Sequence, residues 1–528
     1  MTQRKEAPAV RFVDPGLADE TTDLAHWFDP LGGKGDDPLL AQVIRILQEM
    51  GEAAYLVGGA VRDRLRGGAG SVCPTDLDFA APGDGLRIAR RIADALGAAF
   101  YPLDAERGVG RVVLISKREA GPANEGDASP KETSRRIIDV ARFQGPDLTA
   151  DLAGRDFSVN AMAIDVTGAV PHLIDPHGGQ ADLRARRLRA VSDQALLNDP
   201  VRGLRAVRLQ AELGFEIEAH TQTLIRAAAP GLALGSAERT RDEFAKILSL
   251  PAVADSLRRL DALNLLAAIL PEVVTLKGLA QAGHHHWDAY EHTLQTVAAL
   301  ETLLPLDGAP LYPEIPFPDQ VAGHLAEGVT GGQSRRLLLT LAAVLHDIGK
   351  RSTATAEPDG RTRFIGHERV GATVAADAVR RLRFAGEAVR RVEAIIRHHL
   401  RPLQLAWQGA INKRAIHHFF RDVGDVGVDV ALLSLADHLA TVGPDADDDQ
   451  YPTLLETVKA LLDAYFNQRQ TVVAPPPLLT GDDLIGQFGL AQGPEIGRLL
   501  AALQEAQAVG QVTSREQAEA WARCRIGG

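Results

Sequence analysis

The chain has 528 residues, a hydrophobic content of 45%, 24% charged residues and a formal net charge of −12. That length exceeds one hydrophobic core and predicts two to four domains. The composition excludes nonspecific coating of nucleic acid, which needs an excess of cations, and no apolar run is long enough to span a membrane.

Residues 1–37 are rich in Pro, Gly and Asp and predict a loosely ordered segment without a secretory h-region. The two cysteines, Cys73 and Cys524, fit neither a zinc nor a disulfide spacing, so a reducing cytoplasm is the expected compartment.

From about 38 to 178, short apolar runs alternate with helix-like stretches such as "GLRIARRIADALG". The runs include "AAYLVGG", "LDFAAP", "GRVVLIS", "RRIIDVARF" and "NAMAIDV". This alternation predicts an α/β or α+β unit around a small sheet, with the polar stretch "KREAGPANEGDASPKETSR" as a loop between two strands. "YLVGGAVRDRL" predicts strand, tight turn and helix. Gly58 and Gly59 would bring backbone N–H groups and the helix N-terminus to an anion, with Arg62 and Asp63 in the first turn. In "TDLDF", Asp76 and Asp78 project to one face of a strand. Two adjacent carboxylates predict a divalent cation shared with substrate phosphates, Mg²⁺ in the first instance.

Between 184 and 208 lies a basic stripe: Arg184, Arg186, Arg187, Arg189, Arg202, Arg205 and Arg208 against Asp193 and Asp199. It suits a confined contact with nucleic acid or phosphate, or a solvated helix face. After about 180 the periodicity becomes helical, interrupted by loop-like stretches at 302–334 and 440–452. Twelve of the 16 histidines fall between 284 and 438. His292, His346, Asp347, His367, His398, His399 and Asp437 supply imidazole and carboxylate, the ligand set of a divalent transition metal. The run His284–His286 has no assigned role. Near the end, Thr480 predicts an N-cap and "PEIGRLLAALQEA" an amphipathic helix.

Five motifs in order closely resemble the class II tRNA nucleotidyltransferase/poly(A) polymerase family. They are "GGAVRD" (58–63), "TDLDF" (75–79), "RDFSVNAMA" (155–163), "DPVRGLRAVR" (199–208) and "ERTRDEFAKIL" (238–248). The resemblance implies an α+β fold: a polymerase-β-like head with a small mixed sheet over 38–178, a helical neck over 179–265, an HD domain over 266–445, and C-terminal helices over 446–528 that bind tRNA. It implies that Asp76 and Asp78 bind Mg²⁺ and that Asp139 is a third acidic residue of the site. It places Gly58, Gly59, Arg62, Asp63, Arg155, Asp156, Asn160, Asp199, Arg202, Arg205 and Arg208 around the nucleotide. Arg155 and Asp156 would favour ribose, and Asp199 and Arg202 would read the base. Two positions depart from the family pattern: Gly154 stands for a commonly found arginine and Asn198 for a glutamate.

The order His…His-Asp…Asp resembles HD phosphohydrolases, with Mn, Ni, Co or Fe as candidate ions and a phosphate or 2′,3′-cyclic phosphate at an RNA 3′ end as substrate. The resemblance as a whole implies addition of CCA to tRNA from CTP and ATP. Poly(A) addition, addition restricted to CC or A, and an HD phosphohydrolase with an RNA-binding head are the alternatives. The tail "SREQAEAWARCRIGG" lacks the basic extension of poly(A) polymerases. The sequence leaves the oligomeric state open.

Overall fold

A computed structural model describes residues 37–67, 76–117, 133–168, 171–281, 287–306, 311, 314–329, 331–358, 361–441 and 450–526. Cys73, His284–His286, residues 1–36 and most of the loop expected between two strands lie outside the described residues. The chain divides into two compact units, Met1–Arg202 with Leu213–Ala228, and Gly203–Glu212 with Ala229–Gly528.

The first unit is built on a mixed sheet. Its elements are α1 (Pro38–Met50), β1 (Tyr55–Val57), α2 (Gly59–Gly67), β2 (Asp76–Ala81), α3 (Gly85–Leu96), β3 (Ala99–Asp104), β4 (Val109–Lys117), β5 (Thr133–Arg142), α4 (Leu148–Ala153), β6 (Ala163–Asp165) and β7 (His172–Ile174). The seven strands run in the order β3-β4-β5-β2-β1-β6-β7, and β2 pairs parallel with β5 while the other neighbours are antiparallel. One face, carrying Leu56, Leu77, Phe79, Val112, Ile138 and Val140, is buried beneath amphipathic α3, whose Ile88 and Ile92 are fully covered. Asp84 caps α3 by accepting from the Leu86 and Arg87 N–H groups at 3.0 and 3.3 Å.

On the opposite face the two ends of the sheet differ. Val57, Ala80 and Ala163 pack with Leu152 of α4 and with Ala161, whereas on β4 and β3 the large apolar side chains Ile115 and Tyr101 stay exposed. The carboxylates of β2 lie between these two halves.

The second unit is helical. Strand pairing after residue 180 is confined, among the described residues, to Arg187–Leu188 with Glu216–Ile217 in the first unit and Thr355–Ala356 with Thr362–Arg363 in the second. The stretch 302–334, expected as loop, contains the helix Pro318–Ala326; Pro318 sits in its first turn, where a missing N–H costs nothing. Thr480 forms a reciprocal capping box with Asp483, and the helix Pro494–Ala508 buries Ile496, Leu503 and Ala506 against Leu479, Leu484, Ala518 and Ala522. No helix among the described residues is long and apolar enough to cross a membrane, and Cys524 is an exposed free thiol.

Candidate active sites

The first site grows out of the turn between β1 and α2. Gly58 has φ +73°, a conformation that side chains disfavour, and a Cβ there would stand 3.3 Å from Arg155 Nη1 and 3.5 Å from Asp78 Oδ2. The glycine thus serves the turn and leaves room for both Arg155 and the β2 carboxylate beside it. Arg155 is also held by Asp151 at 3.1 Å.

Behind the turn runs a buried polar chain. Arg62 donates through Nε and Nη2 to both Asp63 oxygens at 2.8 Å, and through Nη1 to Asn160 Oδ1 at 2.7 Å. Asn160 Nδ2 donates to Asp156 Oδ1 at 3.1 Å, an oxygen that also accepts from the Phe157 N–H at 2.7 Å. Arg62, Asp63, Asn160 and Asp156 therefore form one network, and the Arg62–Asp63 fork fixes the guanidinium plane.

Register places the carboxylates. Asp76 pairs with Ile137 and Asp78 with Asp139 across β2 and β5, and Asp139 pairs with Arg111 across β5 and β4. Cross-strand partners share a face, so Asp76, Asp78 and Asp139 lie on one surface. Asp76 is exposed and Asp78 half-buried. Asp139 is clamped by Arg111, Nε to Oδ1 at 2.8 Å and Nη2 to Oδ2 at 2.7 Å. The Asp139 hydrogen bond raises the Arg111 pKa, overcoming burial, with the charges of Asp139, Asp76 and Asp78 adding to it. Sequence reasoning missed Arg111. Its only signal was a cation at an alternate position of the apolar run "GRVVLIS".

Arg202 donates to the carbonyls of Arg155 (2.9 Å), Ala195 (3.1 Å) and Gly154 (2.7 Å), and its Nε lies 3.6 Å from Asp199 Oδ2. The base-reading candidates are thus tied by backbone bonds to the Arg155 loop. The rest of the stripe is less uniform than its sequence suggests. Arg187 and Arg189 both neutralise the buried Asp182, at 2.5 and 2.7 Å. In the second unit Arg208 is held between Glu243 and Glu212 at 2.8 and 2.7 Å, whereas Arg205 is exposed.

The second site lies within the helical unit. The helices Ala289–Leu303, Arg335–Leu345, His367–Arg381, Gly386–His398 and Gly427–Thr441 bring His292, His346, Asp347, His367, His399 and Asp437 together. His292 Nε2 is 2.8 Å from Asp437 Oδ1 and 3.4 Å from Asp347 Oδ2; His346 Nε2 is 3.2 Å from Asp347 Oδ2, and His367 Nε2 is 3.4 Å from Asp347 Oδ1. Gly349 makes the approach possible, because a Cβ there would lie 2.1 Å from the His367 carbonyl oxygen. His398, by contrast, is not among them: burial and the charges of Arg401 and Arg397 lower its pKa, against the opposing charge of Asp422.

Three of these imidazoles are oriented alike. His346, His367 and His399 each place Nδ1 at 2.8, 2.8 and 2.6 Å from the carbonyl oxygen three residues earlier. A carbonyl only accepts, so Nδ1 carries the proton and Nε2 presents its lone pair to the cluster. The Nε2 atoms of all three, and Asp347 Oδ2, are buried without a well-formed hydrogen bond. Three imidazole nitrogens without hydrogen-bond partners, converging on a buried carboxylate, fit a divalent metal. Electrostatics agree. Burial alone would raise Asp347, but His346 and Lys350 hold it well below the usual carboxylate range. Against burial, Asp347 and Asp437 push His346 up to about 10, so without an ion a proton takes the Nε2 position that a metal ion would displace, while burial and His346 lower His399 to about 4. The pocket gathers negative charge that a cation satisfies. Lys350, with Nζ at 2.6 Å from Asp347 Oδ2, is a further neighbour; the sequence shows it in the Gly-Lys pair after His-Asp-Ile but gives it no role.

Comparison with known proteins now bears on both sites. A family model for the poly A polymerase head domain matches residues 54–189, one for the probable RNA- and SrmB-binding site of polymerase A matches 214–276, and an HD domain model matches 289–442. The A-adding tRNA nucleotidyltransferase of Deinococcus radiodurans is 35% identical over 89% of this chain and 94% of its own length. The chain belongs to the tRNA nucleotidyltransferase/poly(A) polymerase family. The CC-adding tRNA nucleotidyltransferase of Thermus thermophilus, another member, is also 35% identical, over 89% of this chain and 92% of its own. The fold matches the Thermotoga maritima CCA-adding enzyme complexed with tRNA, with a TM-score of 0.55 at 18% identity over 93% of this chain and 96% of that one. As a member of this family the chain is a nucleotidyltransferase carrying an HD domain.

Proposed function

We propose that the enzyme adds the nucleotides of the CCA sequence to the 3′ end of tRNA, from CTP and ATP and without a nucleic-acid template. The observation that carries this reading is the single surface formed by Asp76, Asp78 and Asp139, with the Gly58 turn beside both Asp78 and Arg155. Asp76 and Asp78 would hold divalent cations, Mg²⁺ by the chemistry of the donor set. Bound there, such ions supply charge for the attacking hydroxyl and the departing pyrophosphate.

The chain's own groups orient the reactants. Gly58 and Gly59 offer backbone N–H groups to the triphosphate, and the Arg62–Asn160–Asp156 network holds the turn rigid beside the ribose. Asp199 accepts from an exocyclic amine while Arg202 donates to the adjacent ring nitrogen. Cytosine and adenine both present that order, and uracil and guanine present the reverse.

A second reading is favoured by relatives that align over most of the chain and are known as A-adding in one case and CC-adding in others. Addition would then be restricted to A or to CC. Purified enzyme incubated with tRNA ending in N, NC and NCC, and with each NTP alone, separates these outcomes. The CCA reading expects C on the first two substrates and A on the third. Only C, or only A, selects a restricted enzyme, and unlimited A on any RNA selects poly(A) polymerase.

For the helical unit we infer a metal-dependent phosphohydrolase acting on phosphate or 2′,3′-cyclic phosphate at RNA 3′ ends, with Mn, Ni, Co or Fe as candidate ions. Its test is phosphate release from such ends, with loss in Asp347→Ala.

A further inference from the structure

The nucleotide-selecting groups all lie to one side of β2: Gly58 at the end of β1, Arg155 beside Gly58, and Arg202 bonded to the Gly154 and Arg155 carbonyls. Given nucleotidyl transfer in the head, the attacking RNA end must approach the same carboxylates from the other side. In the sheet order that side is β5, β4 and β3.

One row of register partners crosses that side. Asp78 pairs with Asp139, Asp139 with Arg111, and Arg111 with Tyr101 on the edge strand β3. Partners in a row share a face, so Tyr101 stands on the carboxylate surface. Three strand spacings put it about 14 Å from Asp78. That span suits the last or next-to-last base of an RNA whose 3′-hydroxyl lies at Asp78.

The surroundings fit RNA. Tyr101 is 55% exposed, and β3 buries none of its residues. Ile115, 65% exposed, continues the apolar surface on β4; its register partner is Arg135, which is exposed. Arg111 adjoins Tyr101 itself. Arg111 is itself held by Asp139, so the exposed aromatic ring is the stacking platform for single-stranded bases and the exposed Arg135 is a cation for their phosphates. An edge strand with exposed Tyr101 and Leu103 is otherwise a liability for self-association.

The geometry points to Tyr101 as a stacking platform for the 3′-terminal bases of the acceptor RNA, a positioning residue on the side of the head opposite the incoming nucleotide. The inference rests on the nucleotidyl-transfer reading, and the experiment separates the two. Steady-state kinetics of wild type, Tyr101→Ala and Tyr101→Phe are measured against tRNA and against NTP. A tRNA with 2-aminopurine at its 3′ end is titrated without NTP. In Tyr101→Ala the KM for tRNA rises on the order of tenfold or more, with the KM for NTP unchanged. Wild type and Tyr101→Phe quench 2-aminopurine emission, and Tyr101→Ala does not.

Wild type that incorporates nothing overturns the transfer reading. Active wild type with tRNA KM and quenching unaltered in Tyr101→Ala overturns this inference alone. So does a rise confined to the NTP KM, or loss of a wild-type dimer in Tyr101→Ala without change in quenching.

Discussion

The two sites hold carboxylates in opposite settings. In the head, Asp76 is exposed and Asp78 half-buried on an open strand, and Asp139 is already neutralised by Arg111. In the helical unit, Asp347 and the imidazoles of His292, His346 and His399 are 1% exposed or less, and backbone carbonyls set the ring orientations of His346 and His399. An exposed pair with few protein ligands suits a hard cation that arrives with phosphates and retains water. A buried, prearranged set rich in imidazole suits a resident transition metal. On the proposed function, one chain thus holds a site that its substrate completes and a site complete before substrate arrives.

The largest effect expected from that contrast is in the head. Asp76→Asn should lower nucleotide incorporation about 10³-fold or more, while metal content of the helical unit, read by elemental analysis, stays at the wild-type level. Equal loss of metal in this variant would show that the sites are not separate. The converse variant is next in size. Asp347→Asn removes the carboxylate shared by His292, His346 and His367. Bound transition metal should fall at least tenfold, with incorporation into tRNA intact.

A smaller effect concerns pH. Glu301, on the helix that carries His292, accepts from the Ala254 N–H at 2.9 Å, and burial raises its pKa to about 7. A carboxyl with a raised folded pKa contributes stability below its unfolded pKa and loses it as pH climbs through the folded value. The helical unit should therefore weaken between about pH 4.5 and pH 7. Glu301→Gln, which keeps the acceptor, should stabilise it at pH 8 by about 2 kcal/mol and have little effect at pH 4.5. A Tm difference that does not vary with pH would remove this account of Glu301.

Much of the head was legible because its chemistry is local. The spacing of Asp76 and Asp78 fixes their common face, and Gly58 announces the turn. The edge strand β3 was not legible: "AFYPLD" contains a proline and buries none of its residues, so neither alternation nor an apolar run betrays it. Arg111 was missed for a related reason, since its meaning comes from a register with Asp139 that only the folded sheet supplies. In the helical unit the ligand types were legible, but not which of two adjacent histidines turns inward. Helix phase decides that: His399 faces the cluster, and His398 lies beside Arg401 and Arg397.

The most direct test of the account is a crystal structure with CTP and Mn²⁺, the ion located by its anomalous signal. The account predicts manganese between the triphosphate and the carboxylates of Asp76 and Asp78, with the Gly58 turn against the phosphates. Triphosphate bound elsewhere, with both aspartates facing solvent and no metal beside them, would contradict it.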